Sequence, residues 1–258
     1  DAAGQISGGD GEGTRQEVKA FIRKGRVMVN CVPVKKPEAK VEEGKDQVTL
    51  DGRKIPYQKY LYYMLNKPAG VITATTDSRD RTVLDLLGED RRKDLFPVGR
   101  LDKDTEGLLL ITNDGPLAHR LLSPKKHVDK CYYAKVRGEV TGEDVEQFAQ
   151  GLFLAGLGEE KEEKTMPARL EILKTASAAG KEDPGVVSEI LLTIQEGKFH
   201  QVKRMFQAVG KEVLYLKRLS MGSLKLDRSL RRGSTGNLQK RRWNGYETYI
   251  GKYRCRYF

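Results

Sequence analysis

The chain has 258 residues, with 47 Lys and Arg against 36 Asp and Glu and a formal net charge of +11. This length suffices for one large and one small domain, and the positive charge favours a polyanionic partner, first of all a nucleic acid. No apolar run reaches the roughly 20 residues of a membrane helix, and residues 1–20 lack a secretory signal pattern. The three cysteines are far apart without C-x-x-C spacing, which predicts no zinc site or disulfide framework and fits a reducing cytoplasm.

The amino-terminal part predicts a disordered segment followed by a basic helix. Residues 1–13 are rich in Gly and acidic side chains and nearly free of large apolar groups, which is typical of disorder. Thr14 has Glu17 three residues later, the pattern of a capping box, and Gly25 can end the helix in a left-handed cap. Basic side chains surround this predicted helix: Arg15, Lys19, Arg23 and Arg26.

Short β-branched runs and then a linker follow the helix. Val27–Val29, residues 32–34 and Val48–Leu50 each predict a short strand. We interpret residues 14–55 as a small domain and the polar residues 56–59, which contain a proline, as a linker.

The large domain is predicted over residues 60–230. Apolar runs and alternating patterns in this part predict both strands and helices. Strands are expected at 60–65, 130–136, 168–173, 186–194 and 213–216, and helices at 117–122 and 141–150. Residues 158–164 are expected to be a charged loop, and residues 231–258 form an atypical basic tail without a periodic apolar face.

The stretch from Gly99 to Gly115 reads G-R-L-D-K-D-T-E-G-L-L-L-I-T-N-D-G. Its unbroken apolar run, residues 108–111, predicts a fully buried strand that ends at the following Asn-Asp-Gly turn. The loop before the strand, residues 100–106, holds three acidic and two basic side chains. Loops held by a rigid strand often carry catalytic groups, although a solvated turn whose charges pair among themselves has the same composition.

This stretch resembles the central motif of the pseudouridine synthases of the RsuA type. Three further segments resemble motifs of the same family: N-K-P-x-G at 66–70, S-P-K-K-H-V-x-K-x-Y at 123–132 and E-G-K-x-H-Q-V-K-R-M at 196–205. The resemblance implies an α+β fold with a mixed, largely antiparallel sheet and a central cleft. It also implies isomerisation of a uridine in RNA to pseudouridine, a reaction without redox change that needs no cofactor and no metal.

The resemblance also implies the site residues. The catalytic carboxylate of the R-L-D motif maps onto Asp102, which either attacks the ribose or removes its 2′ proton. The active-site tyrosine maps onto Tyr132, which can stack on the base for ~1–3 kcal/mol or act simply as a core aromatic. The basic partner of the aspartate maps onto Lys203, with Arg204 as a less favoured alternative. We interpret His200 as making a structural hydrogen bond.

Residues 14–55 resemble part of the αL RNA-binding module, whose basic helix contacts RNA phosphates; an ordinary amphipathic helix with a solvated basic face is the alternative. We also expect Arg100, Lys198 and Arg204 to contact phosphates around the cleft. The module's usual first helix is missing. One choice of codons for residues 1–11, read one base later, encodes its usual opening M-R-L-D-K-Y-L-A-E-M. The start of the chain is therefore a hypothetical altered terminus, and Phe21 and Ile22 are expected to lack a packing partner.

The S-P-K-K-H-V segment favours 16S small-subunit rRNA as substrate. The alternatives are a large-subunit (23S) rRNA synthase and a non-catalytic rRNA-binding or assembly protein with the same fold. A carboxylate glycosidase is disfavoured because no motif places a second acid. The expected partners are ribosomal RNA or a pre-ribosomal small-subunit particle, and the chain is expected to be a monomer in the cytoplasm that contacts no membrane.

Overall fold

The computed structural model describes residues 15–42, 45–55, 60–156, 162–177 and 185–237. The chain divides into two compact units, Asp1–Leu61 and Tyr62–Phe258. Several sequence expectations lie outside the described residues: the disordered segment 1–13, the cap at Thr14, the linker 56–59 and most of the basic tail. Within the described part of the chain, no helix is long and apolar enough to cross a membrane.

The first unit is a helix packed on a small antiparallel sheet. Its elements are α1 (Arg15–Arg23), β1 (Val27–Val29), β2 (Val32–Pro33), β3 (Val48–Leu50) and β4 (Arg53–Ile55), and the strand order is β2-β1-β3-β4. The sequence did not predict β4. It forms a hairpin with β3 because Asp51 and Gly52 both adopt positive φ angles, 50° and 78°, as the tight turn of a two-residue hairpin requires.

The core of this unit corrects one expectation. Ile22 is fully buried and packs in one hydrophobic cluster with Val18 and residues of the strands. Phe21 is half-buried against the same cluster, and the Arg26 guanidinium lies 4.4 Å from the centre of its ring. The expectation that Phe21 and Ile22 lack a packing partner is therefore wrong, because the strands themselves cover this face of α1.

In the part of the second unit that the structure describes, a large mixed sheet is combined with three α-helices. The strands are β5 (Tyr62–Lys67), β6 (Phe96–Val98), β7 (Glu106–Thr112), β8 (Lys130–Arg137), β9 (Phe153–Leu154), β10 (Glu163–Lys164), β11 (Arg169–Ser177), β12 (Val186–Ile194), β13 (Glu212–Met221), β14 (Leu224–Lys225) and β15 (Thr235–Asn237). The helices are α2 (Gly115–Leu122), α3 (Gly142–Gln150) and α4 (Gln201–Ala208), with 3₁₀ helices at Val83–Asp90 and Pro124–Lys126.

Among the described residues, nine of these strands share one sheet, whose main order is β11-β12-β8-β13-β7-β5-β15. Strands β9 and β10 form a separate hairpin. The pairs are antiparallel, except that β7 and β13 run parallel. The predicted α+β fold with a mixed, largely antiparallel sheet is thus confirmed.

The parallel junction between β7 and β13 is unusually short. Only two residue pairs join these strands, Glu106 with Lys217 and Gly107 with Arg218. Further along, the same edge of β7 pairs with β6. Gly107 has φ +101°, and a Cβ atom there would lie 2.2 Å from the Arg218 carbonyl oxygen. Only glycine permits this approach, so Gly107 decides how the two halves of the sheet meet.

The structure differs from the sequence prediction at the end of the large domain and in the predicted charged loop. Residues 235–237 form β15, which pairs with β5, so the sheet continues beyond the domain end predicted at residue 230. The predicted charged loop at 158–164 contains β10, because Glu163 and Lys164 pair with β9. Polar composition hid both strands, since each is too short to show a hydrophobic period.

The two faces of β8 differ sharply. Tyr132, Ala134 and Val136 are all buried, whereas Tyr133 is half-buried and Lys135 is exposed. This agrees with the expected alternation of Tyr132 and Tyr133 across the strand. The face that carries Tyr132 therefore belongs to the core of the second unit.

Candidate active site

The loop between β6 and β7 is fixed at both ends. The Thr73 hydroxyl donates to the Leu101 carbonyl at 2.7 Å and accepts from the Leu101 amide at 3.1 Å. The Thr105 amide donates to the Asp102 carbonyl at 3.1 Å. All residues of β7 behind the loop are buried. The main chain around Asp102 is thus held in one conformation by a rigid strand and a neighbouring side chain.

Lys67, at the end of β5, binds the same loop from the interior of the protein. Its side chain is fully buried. Its Nζ atom donates to the carbonyls of Pro68 at 3.0 Å, Lys103 at 3.2 Å and Thr105 at 2.9 Å. An ammonium group has three donors, and these three carbonyls use them all. In the sequence, this position was marked only as part of the N-K-P-x-G segment at 66–70.

Burial also changes the acidity of this lysine. Removal from water lowers the pKa of Lys67 from the ordinary 10.5 to about 8, although the negative charges of Asp104, Asp102 and Glu106 oppose the decrease. The buried ammonium is therefore a cation in the middle of an acidic loop, which it attracts from inside the protein.

Asp102 faces a lysine from the first turn of α4. Lys203 Nζ lies 3.6 Å from Asp102 Oδ2 and 2.7 Å from each carboxylate oxygen of Asp104. The Asp102 side chain is 29% exposed, so it borders solvent without extending into it. Partial burial acts to raise the pKa of Asp104, but the hydrogen bonds and charge of Lys203 outweigh it and hold the pKa below its usual range.

The structure thus brings Asp102 and Lys203 together, as expected, but adds Asp104 as the nearer partner of the lysine. Sequence reasoning missed Asp104, although it lies two residues after Asp102. Both side chains leave the same short loop toward α4.

His200 lies on the other side of Asp102. It is the residue that precedes α4, with a left-handed backbone at φ 47°. Its Nε2 atom lies 3.6 Å from Asp102 Oδ1, and its ring stacks on Phe199 with centroids 3.9 Å apart and planes 17° apart. The structural hydrogen bond that we expected for this imidazole is not found among the described residues; stacking and a carboxylate contact take its place.

Tyr132 lies on β8, two strands away from β7 in the sheet. It is 7% exposed and pairs across the sheet with Arg218 of β13, which in turn pairs with Gly107 of β7. Neighbouring strands lie about 4.8 Å apart, so two steps place the Tyr132 backbone roughly 10 Å from Gly107, which follows Asp102 by five residues.

Two buried cations surround this tyrosine in the sheet. Arg218 is 2% exposed, and its Nε donates to the Leu108 carbonyl at 2.8 Å. Its Nη2 atom is buried without a hydrogen-bond partner among the described residues. Burial, aided by the positive charge of Arg218, lowers the pKa of Lys130 to about 8. Neither cation was singled out from the sequence.

The expected phosphate-binding residues fall into two groups. Arg100, Lys19 and Arg23 are exposed. Three others form ion pairs with carboxylates: Lys198 and Arg204 contact Glu163 at 2.8 Å and 2.9 Å, and Arg26 pairs with Asp51. The side chain of Arg15 lies outside the described part of the chain.

No group of three or more His, Cys, Asp or Glu side chains is arranged to hold a metal ion in the described ranges. The geometry instead presents one partly exposed carboxylate between a lysine and a histidine, in a loop locked by buried hydrogen bonds. Such an arrangement suits a carboxylate that acts directly on a substrate.

Residues 61–208 match the model of the RNA pseudouridylate synthase family. The chain belongs to this family. The match includes Asp102, Tyr132 and Lys203, and it confirms the resemblance drawn from the motifs. The residues that surround Asp102 in space therefore all lie within the region that defines these synthases.

Curated relatives and a solved structure indicate the same family. An uncharacterised RNA pseudouridine synthase, YtzG, of Bacillus subtilis (strain 168) is 48% identical, over 86% of this chain and 88% of its own length. Ribosomal small subunit pseudouridine synthase A of Vibrio cholerae is 39% identical, over 85% and 88%. Ribosomal large subunit pseudouridine synthase B of Bacillus subtilis is 38% identical, over 88% of both chains.

The solved structure is described as a pseudouridylate synthase. It is 32% identical to this synthase, with a TM-score of 0.62, and the alignment covers 94% of this chain and 98% of the other. The similarity therefore extends over both units, beyond the region that the family model matches.

Proposed function

We propose that this synthase isomerises one uridine of 16S small-subunit rRNA, with Asp102 as its catalytic carboxylate. The observation that carries the proposal is the position of Asp102: a partly exposed carboxylate 3.6 Å from both Lys203 and His200, in a loop that Lys67 holds through the carbonyls of Lys103 and Thr105. The 39% identity to the small-subunit enzyme of Vibrio cholerae and the S-P-K-K-H-V segment support the small subunit as substrate.

The reaction exchanges one bond for another. The bond between ribose C1′ and uracil N1 breaks, the uracil turns, and a bond between C1′ and C5 forms. C5 loses its proton to solvent and N1 gains one, so the atoms balance without an oxidant or reductant. Asp102 serves the first step, either by attack on C1′ or by removal of the 2′ proton. The ammonium of Lys203 stabilises the negative charge of this carboxylate.

Tyr132 is suited to the middle step. The target nucleotide must leave its stack, at a cost of a few kcal/mol, and the detached uracil must be kept until it rejoins the ribose. We assign this role to the ring of Tyr132, because a base can stack on an aromatic face. The buried strand behind it keeps that ring in place.

The finer assignments follow from the same reasoning. We take residues 14–55 as an αL-type RNA-binding module, on which Lys19 and Arg23 are exposed toward solvent. Arg100, an exposed cation two residues before Asp102, is assigned to a flanking phosphate. The proposed setting is the cytoplasm, with a monomer acting on free rRNA or a pre-ribosomal small-subunit particle.

A second substrate is 23S rRNA. The observation that favours it is the 38% identity to the large-subunit enzyme of Bacillus subtilis, nearly the same as the 39% identity to the small-subunit enzyme. A protein that binds rRNA without modifying it would keep the same fold.

Tritium release separates these possibilities. Transcripts of 16S and of 23S rRNA labelled with tritium at uracil C5 are incubated with the synthase and with Asp102→Asn. Release from 16S rRNA alone, lost in the variant, is the expected result. Release from 23S rRNA alone would transfer the assignment to the large subunit. Binding of both transcripts without any release would identify an RNA-binding protein instead.

A further inference from the structure

Phe199 is an exposed aromatic residue at the edge of the candidate active site. Its side chain is 55% exposed. One face of its ring stacks on His200 at 3.9 Å, and the Nε2 atom of that histidine is 3.6 Å from Asp102. A single exposed apolar residue is common on protein surfaces, so exposure alone indicates nothing. The ordered stack that leads from solvent to the carboxylate is the feature that needs an explanation.

The segment that carries Phe199 is rigidly built. The Gln201 side chain, 4% exposed, accepts from the Lys198 amide at 2.9 Å and donates to Glu196 at 2.7 Å. The same Glu196 oxygen accepts from the Met166 amide at 2.9 Å. These partly buried contacts hold residues 196–201 against the segment of Met166, so the exposed ring is carried by an ordered part of the chain.

A second set of contacts holds the main chain of Phe199 itself. Arg204 donates to the Phe199 carbonyl at 3.3 Å, to Glu163 at 2.9 Å and to the Ala155 carbonyl at 2.6 Å. His200 completes the turn with its left-handed backbone, which is an uncommon conformation for a residue with a side chain. This turn directs the two rings so that they stack.

We propose that the outer face of Phe199, backed by His200, is a binding site for an unpaired nucleobase of the RNA that adjoins the target uridine. This inference rests on the proposed function, because it assumes an RNA substrate at Asp102. Every base has a π face, so stacking on a displayed ring tolerates any sequence. Lys198 and Arg204 lie on either side of the ring in sequence, but both already pair with Glu163, so the proposed contact depends on stacking and not on their charges.

Extraction of the uridine supplies the reason for such a site. A base that leaves its stack exposes the face of its neighbour. Phe199 offers that neighbour a new stacking partner close to Asp102. The stack with His200 keeps the ring oriented before RNA arrives, so less side-chain entropy is lost on binding.

Binding is tested first with a ten-residue oligouridylate, which requires no catalysis. Phe199→Ala is compared with Phe199→Tyr and with Phe153→Ala, since Phe153 is similarly exposed at 62% but lies on β9. We expect Phe199→Ala to weaken binding on the order of 10-fold. Phe199→Tyr and Phe153→Ala should bind like the unmodified protein. Equal affinity for all four proteins would overturn the proposal.

An abasic sugar identifies the contact on the RNA side. A short RNA that contains the modified uridine is made with an abasic residue either 5′ or 3′ of it. At one of these two positions, the missing base should lower the affinity of the RNA for the unmodified synthase. The Phe199→Ala variant should bind that abasic RNA with the same low affinity. A full loss from Phe199→Ala on both abasic RNAs would show that Phe199 acts by holding the protein loop, and the stacking site would be rejected.

Turnover separates this proposal from the proposed function. In Phe199→Ala the RNA concentration that half-saturates the single-turnover rate should rise together with the dissociation constant, whereas Phe153→Ala should leave that concentration unchanged. A fall in the rate at saturating RNA without a change in that concentration would overturn the proposal and make Phe199 a positioning residue for His200. Absence of tritium release by the unmodified protein would refute the proposed catalysis, while base-dependent binding to Phe199 would still stand.

Discussion

Lys203 is closer to Asp104 than to Asp102. Its Nζ atom lies 2.7 Å from both oxygens of Asp104 and 3.6 Å from Asp102. Asp104 therefore fixes the position of the Lys203 ammonium group through two hydrogen bonds. Asp102 makes no hydrogen bond to that group. A carboxylate that must meet a substrate benefits from such an arrangement, because a firm ion pair would first have to break.

The two acids provide a matched pair of variants. We expect Asp102→Asn to lower the single-turnover rate by roughly 10⁴-fold or more, with RNA affinity retained. Asp104→Asn removes the negative charge and one of the two acceptor oxygens that place Lys203 but leaves Asp102 in place, so its loss should be about tenfold. Rates are measured by tritium release from labelled RNA. A tenth of normal turnover remaining in Asp102→Asn, or equal losses in both variants, would contradict these roles.

Substitutions at Tyr132 separate the ring from the hydroxyl. Tyr132→Phe keeps the ring face and should retain most of the activity, whereas Tyr132→Leu should lose at least tenfold more, in line with a stacking energy of ~1–3 kcal/mol. Both variants keep an apolar side chain at this buried position, and circular dichroism verifies the fold. Equal losses in the two variants would show that the hydroxyl matters and that stacking is the wrong account.

Lys67→Met tests the buried ammonium under the loop. Three carbonyls lose their donor, so we expect a loss of about 2 kcal/mol in the free energy of unfolding at pH 7. The rate should fall at least tenfold because the loop with Asp102 loosens. Urea unfolding and tritium release measure the two effects.

The same variant has a pH signature. The folded lysine, with its pKa of about 8 instead of 10.5, is neutral between these values, whereas the unfolded lysine is still charged. The unfolded state then binds more protons, so stability from this group rises with pH across that window. The disadvantage of Lys67→Met should therefore widen between pH 8 and 10. A constant difference would mean that the three carbonyls keep the pKa at its ordinary value.

Gly107→Ala tests the junction of the two half-sheets. The added Cβ would collide with the backbone of Arg218, so we expect a loss of about 3 kcal/mol or more in the free energy of unfolding. Gly210→Ala is the control: its φ is +70° but no atom lies within 4 Å of the new Cβ, so backbone strain alone should cost about 1 kcal/mol. Similar losses in urea unfolding would show that the close approach is not limiting.

Arg100 and Lys198 differ in their carboxylate contacts, and RNA binding against salt should reveal it. Arg100→Ala should reduce the slope of log affinity against log salt by about 0.7, the value for one phosphate contact on a single strand. Lys198→Ala should reduce it less, because Glu163 at 2.8 Å already balances this charge. A larger effect at Lys198 would mean that RNA displaces Glu163 from it.

The local elements and the motif were predictable from the sequence by itself. The apolar run 108–111 predicted the buried strand β7, and Val186–Ile194 was found with the predicted limits. The helix predicted at 141–150 is α3, which Thr141 caps through a capping box with Asp144. These features depend on neighbouring residues in the chain, whose periodicity and caps act over a few residues. The family, and with it the expected position of Asp102, followed from the motifs in the same way.

Only the tertiary structure decided which charges meet. Lys203 finds Asp104 from 99 residues away, and Lys67 reaches the Thr105 carbonyl across 38 residues. Glu163, in the β9–β10 hairpin, forms ion pairs with Lys198 and Arg204. Gly107 permits β13 to pair with β7. The sequence around a charged residue contains no pattern that identifies its ion-pair partner. Every residue has a backbone carbonyl, so the sequence also does not indicate which carbonyl a lysine will bind. These contacts therefore depend on the sheet, which brings distant segments together only after the local elements have packed.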